Sequence, residues 1–298
     1  MSIYDQYIGY HNKYTKLYGE NTIVLCQVGS FFELYSVENA LIKEGPNLTE
    51  ICSILNIQMT RKNKSIPECS KSNPYLAGIP CVSLKKYTDM LLKENYTIVL
   101  VEQFKINDKD VINRKVTQVI SPGTSLDYNQ TFDANFLMCF YFTKGATKFG
   151  DFLCLYISFM DLTTGETFVY KVDETQDAKI LLQEALRVLT TYCPRELLIV
   201  YDGGDTTIVN QFDYLPICIK KVESTAPFQK IAYQNTILRK VFGQLCGLLS
   251  PIEYIDLERN PNDVVCFCYL LDFAYQHNEK IIEKLYNCLL YTSPSPRD

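Results

Sequence analysis

Short runs of β-branched and aliphatic residues alternate along this chain with segments whose apolar residues recur every three or four positions. That alternation constrains the fold more than any other feature. Thr22–Gln27 (TIVLCQ), Tyr96–Gln103 (YTIVLVEQ) and Glu196–Tyr201 (ELLIVY) read as buried strands. Tyr4, Tyr7, Ile8, His11, Tyr14, Leu17 and Tyr18 mark one face of a helix that Gly19 is placed to end. Strands and helices in alternation predict a mixed α/β fold, and 298 residues suffice for two domains.

In the first part, Val28-Gly29-Ser30 makes a turn into a strand at Phe31–Tyr35. A helix is expected over Asn47–Leu55, a basic loop at Thr60–Lys64 and a second helix over Leu84–Asn95. A strand at Lys115–Ser121 stops at Pro122-Gly123. The polar stretch Leu126–Asn135 predicts a boundary. Beyond it come strands at Phe136–Phe142, Phe152–Met160 and Glu166–Val172, the last two joined by the hairpin loop Asp161–Gly165. A helix over Ala178–Tyr192, the strand Glu196–Tyr201, a turn at Asp202–Asp205 and a strand at Pro216–Lys220 follow. Helices over Phe228–Leu245 and from Asn260 through His277 complete the part. Three antiparallel strands followed by alternating helices and strands is the order of an RNase H-like domain. The tail Cys288–Asp298 (CLLYTSPSPRD) abandons the preceding pattern and resembles translated sequencing-adapter DNA. On that reading the native chain continues past Asn287, and the tail is excluded from the fold.

No apolar run approaches the ~20 residues of a membrane helix, and the N-terminus lacks the features of a signal peptide, so the expected setting is intracellular. The twelve Cys are scattered through predicted elements and read as reduced, buried thiols. Cys266 and Cys268 point in different directions on a helix and predict no metal site. Net charge is −5, unevenly spread. Residues 1–127 hold fourteen Lys and Arg against thirteen Asp and Glu, and residues 128–287 hold fourteen against twenty. A basic surface is therefore expected only in the first part.

Both His, at 11 and 277, fall on predicted helices and suggest no catalytic set. There is no G-x-x-x-x-G-K-[ST] loop and no G-x-G-x-x-G, so no nucleotide-hydrolysing site is visible. An RNase H-like nuclease needs converging carboxylates, one on the first strand, and Phe136–Phe142 has none. Asp161 suits the geometry of its turn, and Glu184 suits a solvated helix face. Val28–Tyr35 (VGSFFELY) carries a different chemistry. Adjacent strand residues face opposite ways, so one Phe can be buried while the other stands out. An exposed Phe two residues before a Glu, at the mouth of a turn, is a wedge with a polar reader beside it. That pair suits unstacking a base step from the minor groove.

VGSFFELY resembles the Gly-then-Phe-x-Glu motif of the MutS family of DNA mismatch-repair proteins, with Phe31 and Glu33 at the motif positions. Thr60-Arg61-Lys62, Ala77–Pro80, Tyr87 with its helix into Tyr96–Gln103, Val119–Thr124, Asp161–Gly165 and Pro194–Glu196 match in the same order. NIQMTRKNKSI, SPIEYIDLER and LLDFAYQHNE resemble the branch found in large DNA viruses and octocoral mitochondria, and Ser30 replaces the Asp common in bacterial members. The resemblance implies a mismatch-recognition domain (MutS domain I) over 1–127 and an RNase H-like connector over 128–278. A truncated lever would begin at 279–287. It implies binding of double-stranded DNA with mismatches or small loops, Phe31 stacking on a mispaired base and Glu33 hydrogen-bonding it. Arg61, Lys62 and Lys64 would contact phosphates, and Phe32 would belong to the core. It further implies no enzyme activity or cofactor in this stretch, with ATP and Mg2+ bound by a missing ATPase domain. The whole protein would be a homodimer, with repair partners at the connector and no membrane. Three other readings compete: a relative that binds branched or recombining DNA without mismatch selectivity, a nuclease, and a stand-alone protein-interaction module.

Overall fold

Ser2 caps the first helix, Ile3–Tyr18 (α1), in a reciprocal capping box with Asp5, and Gly19, at φ +91°, ends it. The computed structural model describes residues 2–39, 41–106, 111–125, 134–148, 150–175, 177–203, 206–277, 279, 281, 285 and 288–291. The chain divides into two units, Met1–Pro122 and Gly123–Asp298. Residues 126–133 of the expected boundary, 204 and 205 of the expected turn, most of 279–287 and all of 292–298 lie outside the described residues.

The first unit is built on a mixed sheet. Thr22–Val28 (β1) pairs antiparallel with Phe31–Glu38 (β2), which also pairs with the short Lys43–Glu44 (β3). Leu48–Leu55 (α2), capped by Asn47, leads to Thr60–Arg61 (β4) and Tyr75–Pro80 (β5). Leu84–Lys93 (α3) then leads to Thr97–Ile106 (β6) and Val111–Ile120 (β7). The strand order is β4-β5-β2-β1-β6-β7, with β1 and β6 parallel. Side-chain alternation decides what covers each face. The ring of Tyr7 on α1 meets Tyr35 edge-on at 5.4 Å, so α1 packs over the Tyr35 end of the face shared by Phe31, Glu33 and Tyr35. Phe32 and Leu34 are buried on the other face, where α2 and α3 pack. The expected basic loop differs in part, because Thr60 and Arg61 pair with Leu76 and Tyr75 as a short strand.

The second unit has a sheet of Phe136–Thr147 (β8), Gly150–Asp161 (β9), Glu166–Thr175 (β10), Glu196–Tyr201 (β11) and Cys218–Glu223 (β12). A sixth strand, Cys288–Tyr291 (β13), pairs parallel with β10, so part of the tail excluded on sequence grounds forms an edge strand. The order is β12-β11-β8-β9-β10-β13. The strands β8, β9 and β10 form an antiparallel meander, and β11 runs parallel to both β8 and β12. Helix Ala178–Tyr192 (α4) joins β10 to β11. Met138, Phe140 and Phe142 pack with Leu181, Ala185 and Val188 of α4. Leu137, Cys139 and Tyr141 belong to the opposite cluster, with Ile231–Phe242 (α5), Pro251–Tyr254 (α6) and Pro261–His277 (α7). Coverage of both faces explains why β8 reads as an unbroken apolar run. The helix expected over Phe228–Leu245 is shorter, because Ala226–Gln229 is a 3₁₀ turn with Pro227 in it and the helix stops before Gly243. The strand expected over Pro216–Lys220 begins at Cys218, two residues past Pro216, which supplies no N–H to a ladder.

The helix α7 is buried along most of its length, so its apolar residues run all round it. Cys266 and Cys268 diverge as expected: the Cys266 thiol lies 3.2 Å from Ser158 Oγ, and that of Cys268 points toward the Gln234 carbonyl. Among the described residues eleven cysteines are free thiols, eight of them buried. No described helix is long and apolar enough to cross a membrane.

Asp263, in the first turn of α7, is 1% exposed, and neither carboxylate oxygen has a hydrogen-bond partner among the described residues. Burial pushes its pKa up to about 6, with Lys171 pulling the other way. The unfolded carboxyl releases its proton near 3.8, so folding is favoured below that pH and penalised as pH rises through the folded value. Between pH 4 and 6 the wild type should lose roughly 2 kcal/mol of stability from this group. Asp263→Asn should remove that loss and be the more stable protein at pH 7.5. Urea denaturation at pH 4, 5, 6 and 7.5 checks this, and parallel pH profiles for the two proteins would refute it.

Candidate nucleic-acid interface

The register of β1 against β2 places Val28 opposite Phe31, which leaves Gly29 and Ser30 as a two-residue hairpin loop. Gly29 has φ +61° and Ser30 a negative φ, the pattern of a type II′ turn, which requires Gly at its first position. The turn is fastened from several elements. Gln27 Nε2 donates to the Gly29 carbonyl at 3.2 Å, and Gly29 N–H donates to Gln103 Oε1 at 3.2 Å. Gln103 N–H returns a bond to Gln27 Oε1 at 3.1 Å, and Cys81 N–H donates to the Ser30 carbonyl at 2.9 Å. Arg114 on β7 donates to the Gln27 carbonyl at 3.1 Å and to Gln6 Oε1 at 3.4 Å.

Immediately after this turn the two phenylalanines separate. Phe31 is 45% exposed and Phe32 only 3%. Glu33 lies on the same face as Phe31, one strand repeat further on, and is half-buried. Tyr35 donates its hydroxyl to Glu33 Oε2 in a short hydrogen bond. Burial first, then that bond to Glu33, raises the Tyr35 pKa far above the phenolic range. Cys26 sits opposite Glu33 on β1, and burial pushes its thiol up to about 11, against the pull of Arg114. The carboxylate is thus flanked by a phenol and a thiol that both keep their protons at neutral pH. On its other side stands Gly78 of β5. A Cβ there would lie 3.6 Å from Glu33 Cγ and 3.8 Å from Phe31 Cδ1, so the bare glycine leaves the flank of the pair open.

Phe31 pairs with Pro80 at the end of β5. The chain continues through the 3₁₀ turn Cys81–Ser83 into α3, which brings the fully exposed Val82 and the exposed Lys85 and Lys86 close behind. At the same end of the sheet, β6 and β7 run on past the β1–β2 turn. There Lys115 Nζ stands 4.6 Å over the ring of the exposed Phe104.

Arg61, Lys62 and Lys64 are elsewhere. Arg61 pairs with Tyr75 at the start of β5, five residues from Pro80, so the loop it opens lies roughly 16 Å along the strand from Phe31. The structure therefore brings Phe31 and Glu33 together and sets the three basic residues at the far end of the same strands. Arg61 donates to the Pro67 carbonyl, so part of its guanidinium is spent on its own loop. Lys62 and Lys64 are exposed. The loop is organised by the buried Asn73, whose Oδ1 accepts from Asn63 N–H at 2.7 Å and whose Nδ2 donates to the carbonyls of Ile66 and Glu68.

In the second unit Asp161 is consumed by its turn: Oδ1 accepts from the N–H groups of Asn135 and Thr163, and Oδ2 from Thr164 Oγ1. Glu184 accepts from Arg187 at 2.8 Å and from Tyr170 at 3.3 Å. His11 is buried and stacked on Tyr7, and His277 is buried against Phe273, its pKa lowered by burial to about 4. No group of three or more His, Cys, Asp or Glu that could hold a metal occurs among the described residues. Sequence reasoning missed Gln27, Gln103, Arg114 and Gly78. The first three are ordinary polar residues, with Gln27 76 positions from Gln103 and 87 from Arg114, and only the strand register joins them.

Residues 5–129 match the family model of MutS domain I. A DNA mismatch repair MutS homologue of Acanthamoeba polyphaga mimivirus is 28% identical over 95% of this chain and 27% of its own length. The DNA mismatch repair protein MutS of Rickettsia typhi is 26% identical over 88% of this chain and 30% of its own. That of Streptococcus thermophilus is 29% identical over 65% and 20%. The chain spans less than a third of the length of the curated relatives it matches. It carries a MutS domain I, set within a MutS-like N-terminal region.

Proposed function

We propose that this chain binds mismatched double-stranded DNA, with Phe31 as the wedge and Glu33 as the reader. The carrying observation is that the exposed Phe of the Phe-x-Glu pair and its Glu share one open face behind a braced turn. Inserting a ring between base pairs costs a few kcal/mol of unstacking. A mispair has already lost pairing energy and bends more easily, so the insertion costs less there, and that difference is the selectivity. A phenyl ring offers its face to any base, which suits tolerance of many mismatch types.

Glu33 would be repelled by phosphates unless it gained a bond that a matched pair cannot offer. Tyr35 engages Oε2 and leaves Oε1 without a donor among the described residues. That oxygen accepts an imino N–H of the unpaired base, or takes up a proton and donates to a purine nitrogen. Lys62 and Lys64, with what remains of Arg61, contact phosphates at a distance from the wedge and position the domain without reading sequence.

For the second unit we read an RNase H-like connector. The support is the sheet order β10-β9-β8-β11-β12: an antiparallel meander, then two parallel strands beside its first member. On the same reading, ATP, Mg2+, homodimer contacts and the motor step belong to parts of the relatives that this chain does not span. Repair partners would meet the connector.

Phe31→Ala should abolish the preference for a G·T or one-nucleotide-loop duplex over a matched one, a loss of about 1–3 kcal/mol from the mismatched complex alone. Fluorescence anisotropy on the three duplexes measures it, and an unchanged ratio would sink the wedge assignment. Lys62→Ala and Lys64→Ala should weaken matched and mismatched duplexes alike and each lower the slope of log K against log salt by about 0.9. A loss confined to the mismatched duplex would show that these residues had been given the wrong role.

A further inference from the structure

The second unit contains a half-open pocket of about 360 Å³ at the carboxyl ends of β8 and β11, beside the first turn of α7. We propose that it binds an alkylguanidinium group, carried either by an arginine side chain or by a free guanidino compound. Three elements bring polar side chains to it. Asp202 follows β11, Gln229 closes the 3₁₀ turn before α5, and Asn262 opens α7. Two buried tyrosines, with ring centroids 6.0 Å apart, form the floor.

The hydrogen bonds already made decide what the pocket offers. Tyr141 donates its hydroxyl to Asp202 Oδ1 at 3.2 Å and accepts from Gln229 Nε2 at 2.9 Å. Asn262 Nδ2 donates to the Tyr156 hydroxyl at 3.0 Å. Both carboxamides thus spend an N–H on a tyrosine. Gln229 Oε1, Asn262 Oδ1 and Asp202 Oδ2 are left with no donor among the described residues. The pocket therefore presents acceptors, and its complement is a group with several N–H donors.

Charge agrees. The carboxylate of Glu223 lies against Gly203, next to Asp202, and Asp263 follows Asn262, buried and without a hydrogen-bond partner among the described residues. Two cations oppose them. Lys144 is exposed at the rim, and Lys171 stands 5.8 Å over the Tyr156 ring. A planar guanidinium carries five N–H donors in one plane and lies well against aromatic rings, whereas an ammonium is a compact, strongly hydrated point. Acceptors spread over three elements around aromatic walls fit the former.

The test is a titration of the full chain with methylguanidinium, followed by the side-chain amide resonances of Gln229 and Asn262. Saturable shifts are expected, with methylammonium at least about tenfold weaker. Asp202→Asn, an exposed position whose fold is checked by circular dichroism, should weaken methylguanidinium about tenfold or more. No saturable shift up to about 20 mM would overturn the proposal. Equal binding of the two cations, or indifference to Asp202→Asn, would do so as well. Agmatine and a capped Gly-Arg-Gly peptide separate the sources: tighter peptide binding assigns the site to a partner's arginine, and tighter agmatine binding to a free guanidino compound.

Discussion

The Gly29–Ser30 turn is the constraint on which the exposed face of the first unit depends. A two-residue hairpin fixes register, and a slip of one residue would exchange every inward side chain of β2 for an outward one. With Val28 opposite Phe31, Phe32 and Leu34 enter the core between the sheet and α2 and α3, while Phe31 and Glu33 fall on the face of α1. The helix covers Tyr35 further along that face but not the first two positions of this set, and the ring and the carboxylate remain accessible. Gln27, Gln103 and Arg114 hold the turn from β1, β6 and β7, so the position of Phe31 is tied to the middle of the sheet rather than to a loose edge.

The second unit solves a different problem. Its sheet is covered on both faces, which forces strands that are apolar at every position and a helix, α7, that is apolar all round. Polar groups that fall inside such a structure must be paired or remain costly. Tyr141 and Tyr156 are buried, yet their hydroxyls reach the carboxyl ends of the strands, where Gln229, Asp202 and Asn262 meet them. Asp263, one residue deeper on the same helix, has no such partner among the described residues, and burial raises its pKa. The pocket and the buried carboxylate thus arise next to each other, at the first turn of α7.

Most of this architecture is legible in the sequence wherever one periodicity dominates. The strands Thr22–Val28, Glu196–Tyr201 and the β8–β10 meander follow from apolar runs and a good Asp-to-Gly loop, and α1, α4 and α7 follow from helical spacing and caps. The strand Tyr75–Pro80 was missed because Gly78 and Pro80 are poor strand formers, and it holds its place through pairing with β2. That Phe31 and Glu33 share a face was legible because they are two residues apart on one strand. The location of Arg61, Lys62 and Lys64 was not, because which end of β5 their loop joins depends on strand register and not on sequence spacing. The brace of Gln27, Gln103 and Arg114 was invisible for the same reason.

An exposed aromatic ring is common on protein surfaces and proves little by itself. Here the ring sits on a strand whose backbone is fixed by cross-strand bonds on both sides, behind a turn tied to β6, to β7 and to the 3₁₀ turn that follows β5. Little conformational entropy would remain to be lost if it entered a base stack as proposed, so more of the stacking energy would be available to offset unstacking and bending. On the proposed reading the same rigidity would make the wedge unforgiving. It would enter only where the duplex gives way, and a matched duplex does not give way as cheaply as a mispaired one. On the proposed reading Glu33 would sharpen the choice from the other side, since a carboxylate beside the bare Gly78 would repel phosphates and reward only an unpaired donor. Selectivity of this kind would rest on the one contact of Glu33 with the unpaired base and on the stiffness of the scaffold that carries both side chains.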